Sequence, residues 1–173
     1  GGVIKDLKLY GDITGYSNVG GFAGYNYGTI ENCRNYASIT AHSGNIGGIA
    51  GYNEKGLIRD CYNAGKITAG YFNAGGIAAC NRGTIENCQN DGEVGVEQIN
   101  STYAWSKLNA AGGIVETNFG TLKNVLNTGY VHAPKYVGGI QAWFNGNVTQ
   151  VMQSAAVNVG MLWTANTDDA NTI

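Results

Sequence analysis

Residues 47–69 read GGIAGYNEKGLIRDCYNAGKITA, and this stretch decides the fold. It recurs with drift along the chain. Glycine pairs begin at Gly20, Gly47, Gly75, Gly112 and Gly138, a spacing of 27, 28, 37 and 26 residues. Each pair opens the same phrase: an apolar residue, a short run ending in Asn, then Gly-x-Ile-x-Asn-Cys-x-Asn or a relative of it, then a small and a β-branched residue. Four apolar columns result. The first is Phe22, Ile49, Ile77, Ile114 and Ile140. The second is Ile4, Ile30, Ile58, Ile85, Leu122 and Val148. The third is Leu7, Cys33, Cys61, Cys88, Val125 and Val151. The fourth is Ile13, Ile39, Ile67, Val94, Val131 and Val157.

The apolar runs are three to five residues long, rich in Ile, Val and Tyr, and punctuated by Gly, Asn and Asp. That pattern suits short strands and excludes helices, which need a sustained 3.6-residue period. One repeat cannot bury four apolar residues alone, whereas stacked copies turn each column into a continuous ladder. The expectation is an all-β fold: a parallel β-helix, or β-solenoid, with right-handed winding as the prior. Five to six coils of about 27 residues, each with three short strands and three bends, would rise about 4.8 Å per coil, giving a rod about 30 Å long.

Asparagines fall in columns too: Asn26, Asn53, Asn81 and Asn118; then Asn32, Asp60, Asn87 and Asn124; then Asn35, Asn63, Asn90 and Asn127. Asn tolerates the left-handed backbone of sharp bends, and its amide can hydrogen-bond up and down a stack. Ile30 and Cys33 are three apart and would face opposite sides of a flat strand, so a bend at Asn32 is needed to turn both inward. Lys5, Glu31, Arg59, Glu86 and Lys123 form a charge column of alternating sign, the arrangement expected of outward side chains on neighbouring rungs. Glu31 and Glu86 are separated by Arg59, so they do not read as a catalytic carboxylate pair.

The phrase GGIAGYN at 47–53, followed by Ile-x-Asp-Cys-Tyr-Asn-x-Gly-x-Ile at 58–67, resembles the GLUG repeat. The resemblance spans about residues 1–157 and is closest over 20–95. That repeat occurs in large bacterial surface and secreted proteins, among them immunoglobulin A-cleaving metallopeptidases, where it lies outside the catalytic domain, and adhesin-like proteins. The resemblance therefore implies a module of an extracellular or cell-surface bacterial protein. It carries over no protease activity, because the His-Glu-x-x-His zinc motif is absent and the histidines are His42 and His132.

The chain has 173 residues, 43% of them hydrophobic, 13% charged and 28 of them Gly, with a net charge of −2. One domain, 1–173, is expected: a partial coil at 1–19, five repeats over 20–157, and a degenerate cap or tail at 158–173. The repeats begin at 20, 47, 75, 112 and 138. The balance of charge gives no basic surface for nucleic acid. No run of about 18 apolar residues exists to insert in a membrane. The chain opens in mid-repeat, so flanking domains of a longer parent are expected.

The third repeat is longer than the others by about ten residues, with the excess in 96–111, VEQINSTYAWSKLNAA. Insertions in a solenoid become loops on one face. Tyr103 and Trp105 beside Lys107 either fold back over the solenoid or form a loop that binds sugar or protein. Glu116 is the one acid in an otherwise small column of Gly24, Gly51, Ala79 and Ala142. It either pairs with Lys107 or Lys123 or serves as a ligand-binding carboxylate. In the last repeat, Trp143 and Phe144 replace the earlier Tyr and Asn, and Met161, Leu162 and Trp163 in the tail are read as covering the core. Asp168 and Asp169 are read as solvated, so no metal and no cofactor are expected. The four cysteines make no zinc spacing and read as small buried hydrophobes.

Two functions follow. The first is a non-catalytic structural or adhesive module that binds host glycan or an extracellular protein through its flank or the 96–111 loop. The second is a carbohydrate-active β-helix enzyme, a polysaccharide lyase or hydrolase; it needs clustered acids, and the outward acids here alternate with bases.

Overall fold

A computed structural model describes residues 1–97 and 109–143 in full, and the backbone of the strands Val157–Asn158, Leu162–Thr164 and Ala170–Asn171. The chain winds into a parallel β-solenoid, and no described residue is helical. Five sheets run along it. The first stacks Val3–Lys5, Thr29–Glu31, Leu57–Arg59, Thr84–Glu86 and Thr121–Lys123. The second stacks Lys8–Leu9, Arg34–Asn35, Tyr62–Asn63, Gln89–Asn90, Leu126–Asn127 and Val157–Asn158. The third stacks Asp12–Gly15, Ser38–Ala41, Ile67–Ala69, Val94–Val96, Val131–Ala133 and Leu162–Thr164. The fourth stacks Val19–Gly20, Ile46–Gly47, Asn73–Gly75, Ala110–Gly112, Tyr136–Gly138 and Ala170–Asn171. The fifth stacks Ala23–Asn26, Ala50–Asn53, Ala78–Asn81, Val115–Asn118 and Gln141–Trp143.

A coil thus has five short strands where the sequence suggests three. One of the extra corners comes from a column of residues whose backbone turns left-handed. Asp6, Asn32, Asp60, Asn87 and Asn124, with φ between 49° and 59°, separate the first sheet from the second. The bend at Asn32 does turn both Ile30 and Cys33 inward, each fully buried.

The apolar columns stack as read from the repeat. Ile4, Ile30, Ile58, Ile85 and Leu122 are register partners, as are Ile13, Ile39, Ile67, Val94 and Val131. Each fully buried Ile contributes about 1.5–3 kcal/mol. Two positions differ. Val157 lies beside Leu126, and the partner of Val131 is Leu162. Strand pairing therefore continues past residue 157, with Leu162, Trp163 and Thr164 one rung above Val131, His132 and Ala133. The spacing in the last coil is stretched, which hides this register from a 27-residue template. Val148, Val151, Phe144, Met161, Asp168 and Asp169 lie outside the described residues.

The interior is two apolar channels, not one. One holds Ile30, Cys33, Ile49, Ile58, Ile77, Ile85 and Ile114; the other holds Ile39, Ile46, Ile67, Ala74, Val94 and Val131. Between them runs the buried column Asn35, Asn63, Asn90 and Asn127. It packs on the second glycine of each pair: a Cβ on Gly76 would lie 2.5 Å from Asn90 Cγ and 2.1 Å from the Gly113 carbonyl oxygen. The glycine pairs are thus needed for close approach of two walls.

The three asparagine columns do different work. Asn26, Asn53 and Asn81 each donate Nδ2–H to Oδ1 of the Asn one coil on, at 2.8 Å. Asn35, Asn63 and Asn90 do the same at 2.7, 2.7 and 2.8 Å. Both columns are buried and extended, while only the Asn32 column carries the left-handed bend. A fourth column escaped the sequence reading: Asn45 Nδ2 donates to Asn18 Oδ1 at 3.0 Å, and Asn73 Nδ2 to Asn45 Oδ1 at 3.3 Å. The charge column is also in register, with Arg59 Nε donating to Glu31 Oε2 at 2.9 Å. Cys33, Cys61, Cys80 and Cys88 are buried free thiols, the Sγ of Cys33, Cys61 and Cys88 donating to the carbonyl two residues earlier.

Candidate functional site

Of the residues singled out in the sequence, Tyr103, Trp105 and Lys107 lie outside the described residues. The insertion itself is narrower than 96–111, because Val96, Ala110 and Ala111 are buried in strands of the third and fourth sheets. Glu116 stands in the fifth sheet with Ala79 and Ala142 above and below, as its column predicts. It is 1% exposed, and its carboxyl meets the Thr117 hydroxyl, whose Oγ1 donates to Oε2 at 2.5 Å. Lys123 sits on the first sheet beside Glu86, so the expected Glu116–Lys123 pair does not form. Burial pushes the Glu116 carboxyl up to about 8, the Thr117 hydrogen bond acting the other way. The carboxyl is thus shielded from solution and held by Thr117.

The outward columns are more informative. Tyr10 and Tyr36, following Leu9 and Asn35 on neighbouring rungs of the second sheet, are 66% and 39% exposed. Their rings stack with centroids 5.1 Å apart and planes 9° apart. Tyr62 meets Tyr36 edge-on at 6.0 Å, and the Arg34 guanidinium lies over the Tyr62 ring at 5.9 Å. One coil on, Asp91 accepts hydrogen bonds from Tyr62 Oη at 2.8 Å, from Gln89 Nε2 at 2.7 Å and from the Thr128 hydroxyl. Burial opposes its charge, but those three donors together hold the Asp91 carboxyl below its ordinary range. The flank therefore offers flat aromatic faces, a guanidinium, an amide and a carboxylate in fixed positions. Such a set can stack on the apolar face of a sugar ring and hydrogen-bond its hydroxyls. The signal was present in the sequence: Tyr10 and Tyr36 are 26 apart, the same offset as Ile4 and Ile30.

A second aromatic group lies on the fifth sheet, where Tyr25 stacks on Tyr52 at 5.4 Å and Arg82 lies over Tyr52 and Phe119. Among the described residues, the side chains placed to hold a metal ion are Glu93, Glu97 and His132, on the outer face of the third sheet. The expectation of no metal weighed the cysteine spacing, the absent His-Glu-x-x-His motif and Asp168 and Asp169, and did not consider this group.

Residues 15–40 and 42–68 match the family model described as the GLUG motif. The chain carries GLUG repeats. No curated protein and no solved structure matches the chain. The second matched GLUG unit covers residues 47–68 of the stretch quoted at the outset, and strand pairing extends the same register from Val3 to Trp143. The GLUG units build a repeat module in which the tyrosine flank is an outward column on a fixed scaffold.

Proposed function

We propose that this GLUG-repeat chain is a non-catalytic adhesive module of a larger bacterial cell-surface or secreted protein. Its second-sheet flank takes carbohydrate on Tyr10, Tyr36 and Tyr62, with Arg34, Gln89 and Asp91 as the polar rim. The observation that carries this reading is the exposed stacked pair Tyr10–Tyr36. Burying such faces in the fold would have been favourable, and the solenoid instead keeps them in water beside hydrogen-bonding groups. Non-catalytic character is supported by the interior, whose channels are filled by Ile, Val, Ala and Cys. A concavity of about 330 Å³ at the first coil is lined by Gly1, Val3, Ile4, Ala23, Tyr25, Asn26, Tyr27 and their neighbours, without a carboxylate, imidazole or thiol.

The test is a glycan array followed by titration calorimetry with the best ligand. The variants Tyr10→Ala and Tyr36→Ala should each weaken binding about tenfold, equivalent to about 1.4 kcal/mol, with the melting temperature unchanged. Glycan binding that survives both substitutions, or binding only to extracellular protein, sinks the tyrosine assignment. Release of reducing ends from a bound polysaccharide sinks the non-catalytic assignment.

A further inference from the structure

The outer face of the third sheet carries one column of Thr14, Thr40, Thr68, Gly95 and His132 on successive rungs. The threonine run breaks at Gly95, and the vacated space is taken by the imidazole from the rung beyond. A Cβ on Gly95 would lie 2.3 Å from His132 Nε2 and 2.4 Å from its Cε1. Only a residue without a side chain lets the ring lie down over that strand. Tyr130 stacks on the imidazole at 5.1 Å with planes 22° apart and fixes its tilt.

Glu93 and Glu97 flank Gly95 at two residues on either side. Alternation along a strand sends 93, 95 and 97 to the same outer face. His132 Nε2 is 3.1 Å from Glu93 Oε1 and 4.0 Å from Glu97 Oε1, and the three ligand atoms all lie within 4.8 Å of one another. Ligands at about 2.0–2.1 Å from a tetrahedral ion stand about 3.3 Å apart, so these separations bracket what such an ion needs. One imidazole nitrogen and two carboxylate oxygens form a donor set for a borderline divalent ion, and a hard ion such as calcium has no use for the nitrogen.

We propose that Glu93, Glu97 and His132 bind a divalent transition-metal ion of the zinc kind. The Glu97 side chain is 47% exposed, so an ion from solution can reach the group. Lys66 Nζ lies 3.0 Å from Glu93 Oε1 and balances the charge of the site until the ion arrives. Its side chain is half exposed, so the ammonium can swing into water when a divalent cation takes its place. The site lies on a different sheet from the tyrosine flank and does not depend on glycan binding.

The experiment takes the whole chain, stripped with a chelator and kept reduced, and titrates Zn²⁺ against a chromogenic competitor. One ion per chain is expected. His132→Ala and Glu97→Gln should each weaken it by at least the roughly 10–100-fold that loss of even an outer-shell partner costs. Gly95→Ala, which crowds the ring, should weaken it as well. His42→Ala, at the other histidine, should leave it unchanged, and thermal melts of each variant separate lost ligands from lost folding. Histidine NMR resonances give a second readout: His132 should shift with Zn²⁺ and not with Ca²⁺. Absence of saturable binding, binding undiminished in His132→Ala, or equal loss in His42→Ala overturns the proposal, as does Ca²⁺ competing as well as Zn²⁺.

Discussion

Asn63 shows what one residue does in this fold. It is wholly buried, accepts from Asn35 Nδ2, donates to Asn90 Oδ1 and also donates to the Gly65 carbonyl at 3.0 Å. An unsatisfied buried polar group costs about 1–3 kcal/mol, so such a side chain is stable only when the next coil supplies its partner. The apolar columns drive burial, and the amide columns admit one register. Glu116 is the opposite case, an acid buried without a cation among the described residues. Folded, it keeps its proton up to about 8, whereas an ordinary carboxyl titrates at 4.5. Between those values the unfolded chain has released a proton that the native chain still holds. The contribution of Glu116 to stability is therefore fullest below about pH 4.5 and falls as pH rises towards about 8. The nearby Cys80 thiol is pushed up mainly by burial and in part by the Glu116 charge, while its hydrogen bond with Tyr52 acts the other way. Glu116→Gln keeps the shape and removes the charge. Chemical melts across that window should show the variant gaining on wild type by on the order of a few kcal/mol towards high pH. Parallel curves for the two proteins would mean that Glu116 does not titrate there.

Strands and corners were legible to different degrees. The columns of Ile30 and Ile39 were readable because every copy repeats the same apolar residue at the same offset. The number of strands per coil was not, because Asn in three columns looks alike in sequence. Backbone angle and burial separate these three columns: Asn32, Asp60, Asn87 and Asn124 have positive φ, whereas Asn26 and Asn35 are extended and inward. The glycine pairs were legible as punctuation, but their reason is the opposite wall. At Gly76 the space for a Cβ is occupied by the Gly113 carbonyl and the Asn90 amide. Gly76→Ala should therefore cost at least the roughly 1–3 kcal/mol of ordinary overpacking, since the Gly113 carbonyl of the next coil is backbone and the Asn90 amide is held in its buried column. At Gly2 nothing lies within 4 Å of such a Cβ, so Gly2→Ala should be neutral or slightly stabilising. Urea midpoints of the two variants make the comparison. Similar midpoints would show that the two walls are not in contact.

For the molecule as a whole, the solenoid was readable from one 23-residue phrase, because a one-dimensional stack repeats its own instructions. The outward surface was legible only in part: the charge column of Glu31 and Arg59 was read, and the groupings around Tyr36, Asp91 and His132 were not. Binding residues on it need no repetition, and Tyr36, Asp91 and His132 become neighbours of their partners only once the coils are in register. Glu93 and His132 are 39 apart in sequence and 3.1 Å apart in space, an offset created by the insertion between them. The same geometry governs how the molecule opens. Each coil touches only the coils beside it, so opening should begin at a terminal rung and travel inward. The first rung is the weakest described: Leu7 is 50% exposed, whereas its partner one coil on, Cys33, is fully buried. The amides of Arg34, Tyr36 and Ser38 donate to Leu7, Leu9 and Gly11, so they lose protection when the first rung lifts. Those of Tyr62 and Ala64 donate to Cys33 and Asn35 and need a second rung to open, and that of Ile67, which donates to Glu93, lies deeper in the stack. Native-state hydrogen exchange should therefore rank the Arg34 group fastest, the Tyr62 group next and Ile67 slowest. A single exchange rate across all of them would mean that the coils unfold as one unit and that neighbour-only coupling is the wrong description of this rod.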